Sequence, residues 1–417
     1  HLHKKPSIEE ISNNLFQLGH EHTILDNIFD IEITPNRGDC LSLLGICRDL
    51  NVFHDSNLDI KIHKDKLNKL EIDFDNEESY VCPKISFLKI EVEKINDNYK
   101  DYIQSFFDDL EYNRNNFFTD ISNYLLYEIG QPTHCYDFEK INNKKIVFKL
   151  NRRDIVFESL LNQKINLKKD NCDYVFTLDD EPINIAGIIG GKESSCSKST
   201  KTVLIECAYF KPEAIIGKST YYDIQSEAAY KFERGVDHKL QEFAIRRFIE
   251  IVKDHSKIKN IEYCSYNFKK IKKNKLKFDN TKISKIIGFD VSKNEQILKL
   301  EKLGFIYKNS FLSIPSYRSD ITHTNDIAEE IARVIGYDKI PPKKISIINK
   351  KPRPNKINEQ IIKSVLIDNG FFEVINFPFV SEKSEESIII DNPLDSNKSY
   401  MRTSLKQSLI SNLNFNE

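Results

Sequence analysis

In SYRSDITHTNDIAEEIARVIGYDKIP, residues 316–341, four carboxylates crowd around the start of one predicted helix: Asp320, Asp326, Glu329 and Glu330. Hard oxygen donors in so short a span suit Mg²⁺. Ile327, Ile331, Val334 and Ile335 recur at helical spacing, which predicts an amphipathic helix with that stripe packed inward. Asp326, Glu329 and Glu330 then share a face. Asp320 approaches from the end of the strand-like segment FLSIPSY. A plainer duty fits the same residues. Asp326 with Glu329 three positions on has the form of a capping box, and acids in a first turn favour the helix dipole. On residue types both readings stand.

Other positions carry chemistry in the middle of the chain. Glu206 lies within the apolar run TVLIECAYF, where a carboxylate has to be partnered or neutralised. His134 stands beside Cys135, but neighbours on an extended segment face opposite ways, which excludes a Cys–His dyad. Gly190-Gly191 reads as a turn or a close backbone approach. Ser226 precedes a helical stretch and suits a bond to backbone.

The elements that must position these groups come from 417 residues, enough for two to four domains. Hydrophobic residues make up 40% and charged residues 30%, a globular balance. A net charge of −2 confines any RNA contact to a local patch, and with no dense basic helix it argues against a DNA-binding regulator. No apolar run reaches membrane-spanning length, and the expectation is a cytoplasmic protein with no membrane contact. Eight cysteines without a CxxC pair read as reduced thiols, not structural zinc. Residue 1 is His and the single Met is Met401, so the start of the gene product is expected to be missing.

The patterning predicts an α+β, multidomain chain. Residues 1–69 read as helix, strand and helix around the turn TPNRGDC. The charged stretch HKDKLNKLEIDFDNEES reads as a linker. Residues 82–256 hold strand-like runs (ISFLKIEV, KKIVFKL, DYVFTL, NIAGIIGG, TVLIECAYF) among helices such as YIQSFFDDL and LQEFAIRRFIEIVKD, a central mixed α/β domain. Residues 269–344, after the connector KKIKKNK, form a small helix-rich domain with the acidic helix. Residues 352–417 follow KKPRPNK and offer a helix and strand-like INFPFV.

Several of these blocks resemble the bacterial phenylalanyl-tRNA synthetase β subunit, in that family's order. DIEITPNRGDCLSLLGICRDL resembles the strand–turn–helix before its editing domain. DISNYLLYEIGQPTHCYD, NIAGIIGG, VLIECAYF and SEAAYKFERGVD resemble successive blocks of the editing domain. The segment with the four acids resembles its Mg²⁺-binding helix, and MRTSL resembles the start of a degenerate, class II synthetase-like antiparallel sheet module. The resemblance implies an α₂β₂ heterotetramer with the α subunit, which carries aminoacylation and joins phenylalanine to tRNA(Phe) using ATP and Mg²⁺. It implies an editing pocket at His134, Gly190, Glu206, Ser226 and Ala228. An apolar pocket rejects the extra hydroxyl of tyrosine only by roughly a hundredfold, so a second site must grip the phenol. Glu206 and His134 are the implied partners, and the implied reaction is hydrolysis of the ester between tyrosine and the tRNA 3′ end.

Three departures from the family stand out. LGHEHTILDNIFDIEIT runs across the point where the family inserts a tRNA-binding module. An arginine usual in the editing pocket corresponds to Asn113, with Arg114 beside it as a substitute. The chain stops at Glu417, soon after MRTSL, and is expected to be truncated. These departures give weight to a rival, a non-enzymatic scaffold that binds the α subunit and tRNA without editing. Eleven Lys and Arg residues between Lys269 and Lys302 give the small domain a basic surface, with acids interspersed.

Overall fold

Alternation along two strands sets the central architecture. In Thr202–Tyr209, Val203, Ile205 and Cys207 enter one core while Leu204 and Ala208 enter another. Lys84–Val92 does the same, with Ile85 and Phe87 on one side and Leu88, Ile90 and Val92 on the other. A sheet with both faces apolar has to be covered twice. The structure, a computed structural model, describes residues 6–54, 60–95, 98–142, 144–271, 274–344 and 356–416.

This sheet runs in the order Asn68–Lys69, Ile258–Asn267, Lys84–Val92, Thr202–Tyr209, His134–Asp137. Helices Asp101–Asp109, Phe117–Ile129 and Gln241–His255 cover one face through Ile103, Phe107, Ile121, Leu125, Ile245 and Phe248. A second five-stranded sheet covers the other, in the order Ile189–Gly190, Glu181–Ile185, Tyr174–Leu178, Ile146–Leu150, Phe74–Asn76. Phe87, Tyr136, Leu204, Phe148, Phe176 and Ile185 fill the space between the sheets. The layers are therefore helix, sheet, sheet.

The stretch expected as a linker is partly structural. Asn68–Lys69 pairs parallel with Glu262–Tyr263 and Phe74–Asn76 with Ile146–Phe148, while Leu70 is buried between them. Strands of two and three residues carry too little alternation to show in a charged sequence.

The N-terminal residues and the small domain share one core. Leu15, Leu18 and Leu50 pack with Leu300, Phe305, Leu312, Ile327 and Ile331. Helix Ile8–Gln17 leads into a hairpin of Glu21–Leu25 and Ile28–Glu32. Its turn residues Asp26 and Asn27 have φ of 47° and 70°, as a two-residue hairpin loop of type I′ requires. The first of these strands was not anticipated. The small domain joins a three-stranded antiparallel sheet to helices Asn280–Ile287, Lys293–Lys302 and Thr324–Ile335.

Residues 1–343 make one compact unit and 344–417 another. The second contains helices Lys356–Asp368 and Lys406–Asn416 and a two-stranded pair, Phe379–Val380 with Tyr400–Met401. Only the last two residues of INFPFV are strand. KKIKKNK falls partly, and KKPRPNK largely, outside the described residues. Among the described residues no helix is long and apolar enough to cross a membrane.

Candidate functional site

Glu206 shares a strand face with Leu204 and Ala208, so its side chain points between the two sheets. His134 lies directly opposite it in the antiparallel register, on the edge strand His134–Asp137. Two residues along, Tyr136 shares the face of His134, and the rings meet edge to face with centroids 4.5 Å apart. Asn184 comes from the second sheet. Glu206, His134 and Asn184 line a cavity of about 400 Å³ together with the first turn of helix Glu227–Arg234. Exposed Leu160 and Leu161 stand at its rim.

The polar groups here are few and deeply buried. The Tyr136 hydroxyl donates to Glu206 Oε2 at 2.6 Å. Asn184 Nδ2 donates to the Tyr136 hydroxyl at 2.9 Å and reaches the same Oε2 at 3.4 Å. Burial pushes the Glu206 carboxyl up to about 7, against the two hydrogen bonds that favour its charge. Burial pushes His134 down to about 4, leaving a neutral imidazole at physiological pH. His134 Nε2 is buried without a hydrogen-bond partner, which is costly unless a ligand supplies one. Cys135, between His134 and Tyr136, turns to the helical side and bonds the Phe118 carbonyl. No Cys–His dyad forms.

Gly190 serves the histidine. A Cβ built there would overlap the His134 ring, so the glycine is what lets the imidazole lie against the backbone. Ser226 has its hydroxyl committed at both ends. It caps helix Glu227–Arg234 by accepting from Ala229 N at 3.2 Å, and it donates to the Ile188 carbonyl at 2.6 Å. Ala228 lines the cavity beside it. Asn113 is exposed and does not line the cavity. Arg114 does not replace it: its guanidinium bonds Gln104 and lies over the Tyr99 and Phe107 rings. Tyr136 and Asn184 went unrecognised in the sequence. The signal was there for Tyr136, since position i+2 from His134 must face the same way.

The acidic helix is built differently. Thr324–Ile335 starts after His323, so Asp326 is its third residue and closes the cap backwards. Asp326 Oδ2 accepts from the backbone N–H groups of Thr322 and His323, each at 2.7 Å. Asp320 gives both oxygens to Arg318, at 2.9 and 2.8 Å. Glu330 binds Arg333 at 2.9 and 2.6 Å and also Arg318. Burial would raise Glu330, but Arg333 and Arg318 outweigh it and hold the carboxyl at about 2. Arg333 continues to Asp49 at 2.8 and 3.1 Å, and Asp49 is bound also by Arg37 and His20. Glu329 is exposed. All four acids line one cleft of about 330 Å³, but their oxygens do not converge on a common point. Two of the four are fully held by guanidinium groups, and this donor arrangement does not fit Mg²⁺. Among the described residues His20, Cys40 and Asp49 are the group close enough to share an ion, and Arg37 already bonds both Cys40 and Asp49.

Comparison with known proteins gives three family matches in chain order. Residues 82–257 match the B3/4 domain, 276–337 the tRNA synthetase B5 domain, and 340–417 the phenylalanyl tRNA synthetase beta chain CLM domain. The phenylalanine–tRNA ligase beta subunit of Blochmanniella floridana is 32% identical over 94% of this chain and 51% of its own length. That of Psychrobacter arcticus is 30% identical over 95% and 52%, and that of Photorhabdus laumondii 28% over 94% and 51%. The chain thus spans about half the length of the curated relatives it matches. An N-terminal fragment of the phenylalanyl-tRNA synthetase beta-subunit from Pyrococcus horikoshii covers 80% of this chain, and 95% of the fragment is covered, with 15% identity and a TM-score of 0.41.

Proposed function

The chain belongs to the phenylalanine–tRNA ligase β-subunit family, and from that premise we propose that it hydrolyses tyrosine mistakenly esterified to tRNA(Phe). The complete enzyme would join phenylalanine to tRNA(Phe) with ATP in an α₂β₂ assembly, with the adenylate chemistry on the α subunit. This chain would contribute proofreading and the surface that binds its partner.

One observation carries the reading. Glu206 Oε1 has no hydrogen bond among the described residues, and His134 Nε2 is buried without one, both in the same cavity. A phenol satisfies both at once, its O–H donating to the carboxylate and its oxygen accepting from the neutral imidazole. A phenylalanyl ring leaves both unpaired, and a site built for a hydroxyl rejects the analogue lacking it strongly. Water then attacks the ester carbonyl, releasing tyrosine and the free 3′ hydroxyl. No residue is assigned as general base: Ser226 is committed at both ends, and Glu206 is engaged with the ring. The acidic helix has no step in this reaction. It acts as a clamp between the N-terminal residues and the small domain.

The test is deacylation of preformed Tyr-tRNA(Phe), with Phe-tRNA(Phe) as the control. Glu206→Ala should cut the Tyr-specific rate by about two orders of magnitude while the fold persists; an undiminished rate would sink the assignment. The second reading, a scaffold without editing, draws on Asn113, whose side chain is not in the cavity. It predicts no turnover in the unmodified chain.

A further inference from the structure

The acid meant to grip a ligand phenol already holds a phenol belonging to the chain. We propose that Tyr136, supported by Asn184, is a positioning residue: it fixes Glu206 through Oε2 and so leaves Oε1 and His134 Nε2 to define the ligand hydroxyl's place. The inference rests on the proofreading function and deepens it by naming what sets its specificity.

The geometry carries the argument. Both inner hydrogen bonds fall on one oxygen of Glu206, the Tyr136 hydroxyl at 2.6 Å and Asn184 Nδ2 at 3.4 Å. A carboxylate is otherwise free to turn about its terminal bond, which is broad and roughly two-fold. Asn184 also donates to the Tyr136 oxygen at 2.9 Å, so the phenol proton is directed at Glu206 and nowhere else. Burial and the neighbouring Glu206 charge hold Tyr136 well above its ordinary value, keeping that proton in place. The two strands fix the rest. His134 and Tyr136 are two apart on one strand, and His134 is the cross-strand partner of Glu206. The imidazole is seated on Gly190, next to the ring of Tyr136. Among the described residues no arginine or lysine bonds this acid, so neutral donors set its orientation.

The experiment uses Tyr136→Phe in the full chain assembled with its α subunit. Deacylation of Tyr-tRNA(Phe) and Phe-tRNA(Phe) is followed against pH, with calorimetric titration of L-tyrosine and L-phenylalanine alongside. The variant keeps the ring and deletes one donor to the charged carboxylate. KM for Tyr-tRNA(Phe) should rise about tenfold with little change in kcat, the size of one lost hydrogen bond to a charged group. The pH midpoint of Tyr-selective turnover should move to higher pH, because a donor favouring the ionised form is gone. Asn184→Ala, which keeps the Tyr136 bond, should move both readouts the same way by less, and serves if Tyr136→Phe does not fold. Unchanged KM and pH profile in both variants would overturn the proposal. So would tighter tyrosine binding by Tyr136→Phe, which would mean that the internal phenol occupies the ligand's place. No turnover by the unmodified chain, with tyrosine still bound in preference to phenylalanine, would remove the hydrolytic function and leave the positioning role standing on the binding data.

Discussion

Glu206 and Glu330 are both nearly inaccessible carboxylates, 4% and 3% exposed, and they have opposite fates. Glu330 lies between two guanidinium groups and stays charged to about pH 2. Glu206 has a phenol and an amide, both neutral, and titrates near 7. The burial penalty is similar, and the partners decide the sign. An acid matched by arginine is finished: its lone pairs are used, and it holds two parts of the chain together. An acid given neutral partners on one oxygen alone retains an appetite for a further donor. Two buried carboxylates in one chain thus separate into a structural clamp and a binding group without any difference in residue type.

The strongest way to break the contrast is to strip the clamp of its cation. Arg333→Ala leaves Asp49 and Glu330 short of their shared partner, and removing one member of a buried ion pair costs about 3–5 kcal/mol. Denaturant unfolding of residues 1–343 in the full chain should show that loss. A change below about 1 kcal/mol would mean that the network is not a clamp.

Stability against pH sharpens the comparison, because the two acids pull in opposite directions. Glu330 is depressed, so its contribution is present above about 4.5 and is lost as pH falls toward 2. Glu206 is raised, so its contribution is full below about 4.5 and is lost as pH climbs through 7. Each amounts to about 3 kcal/mol across its window. Glu206→Gln should flatten the fall between pH 4.5 and 7.5 and leave the acid limb alone. Equal slopes for the variant and the unmodified chain would show that Glu206 is not raised.

Gly190→Ala probes the seat of the imidazole. The methyl displaces His134 at a cost of about 1–3 kcal/mol, and Tyr-tRNA(Phe) deacylation should fall with it. Retained activity would mean that His134 is dispensable. The smallest effect concerns Mg²⁺, whose addition should leave the melting temperature of this chain unchanged, since Arg318 and Arg333 hold Asp320 and Glu330. A clear rise on adding Mg²⁺ would show that the arginines yield their acids to the ion.

Much of this was legible in the residues. Apolar runs announced the strands around Glu206, helical spacing announced the stripe of Ile327, Ile331 and Val334, and the ordered blocks announced the family. The short edge strands at Asn68–Lys69 and Phe74–Asn76 were hidden, because charge and brevity leave no period to read. Arg318 and Arg333 were in view beside the acids, yet nothing in spacing alone distinguishes a guanidinium that neutralises a carboxylate from one that points to water. Asn113 and Arg114 failed for a related reason: adjacency along the chain does not fix which side chain enters a cavity.

The linear order of residue types settled the long, strongly patterned strands and helices and which face of each turns inward, since those follow from local period and propensity; the short edge strands it did not settle. It marked Glu206 as a carboxylate in an apolar run that needs a partner, while the pairing with His134 came from the family resemblance. Whether a buried acid ends beside a guanidinium or a phenol depended on which strand and helix were brought against it. Electrostatic partnership acts over a few ångströms between residues as far apart in the chain as Asp49 and Arg333, or Tyr136 and Glu206, and folding alone creates those distances.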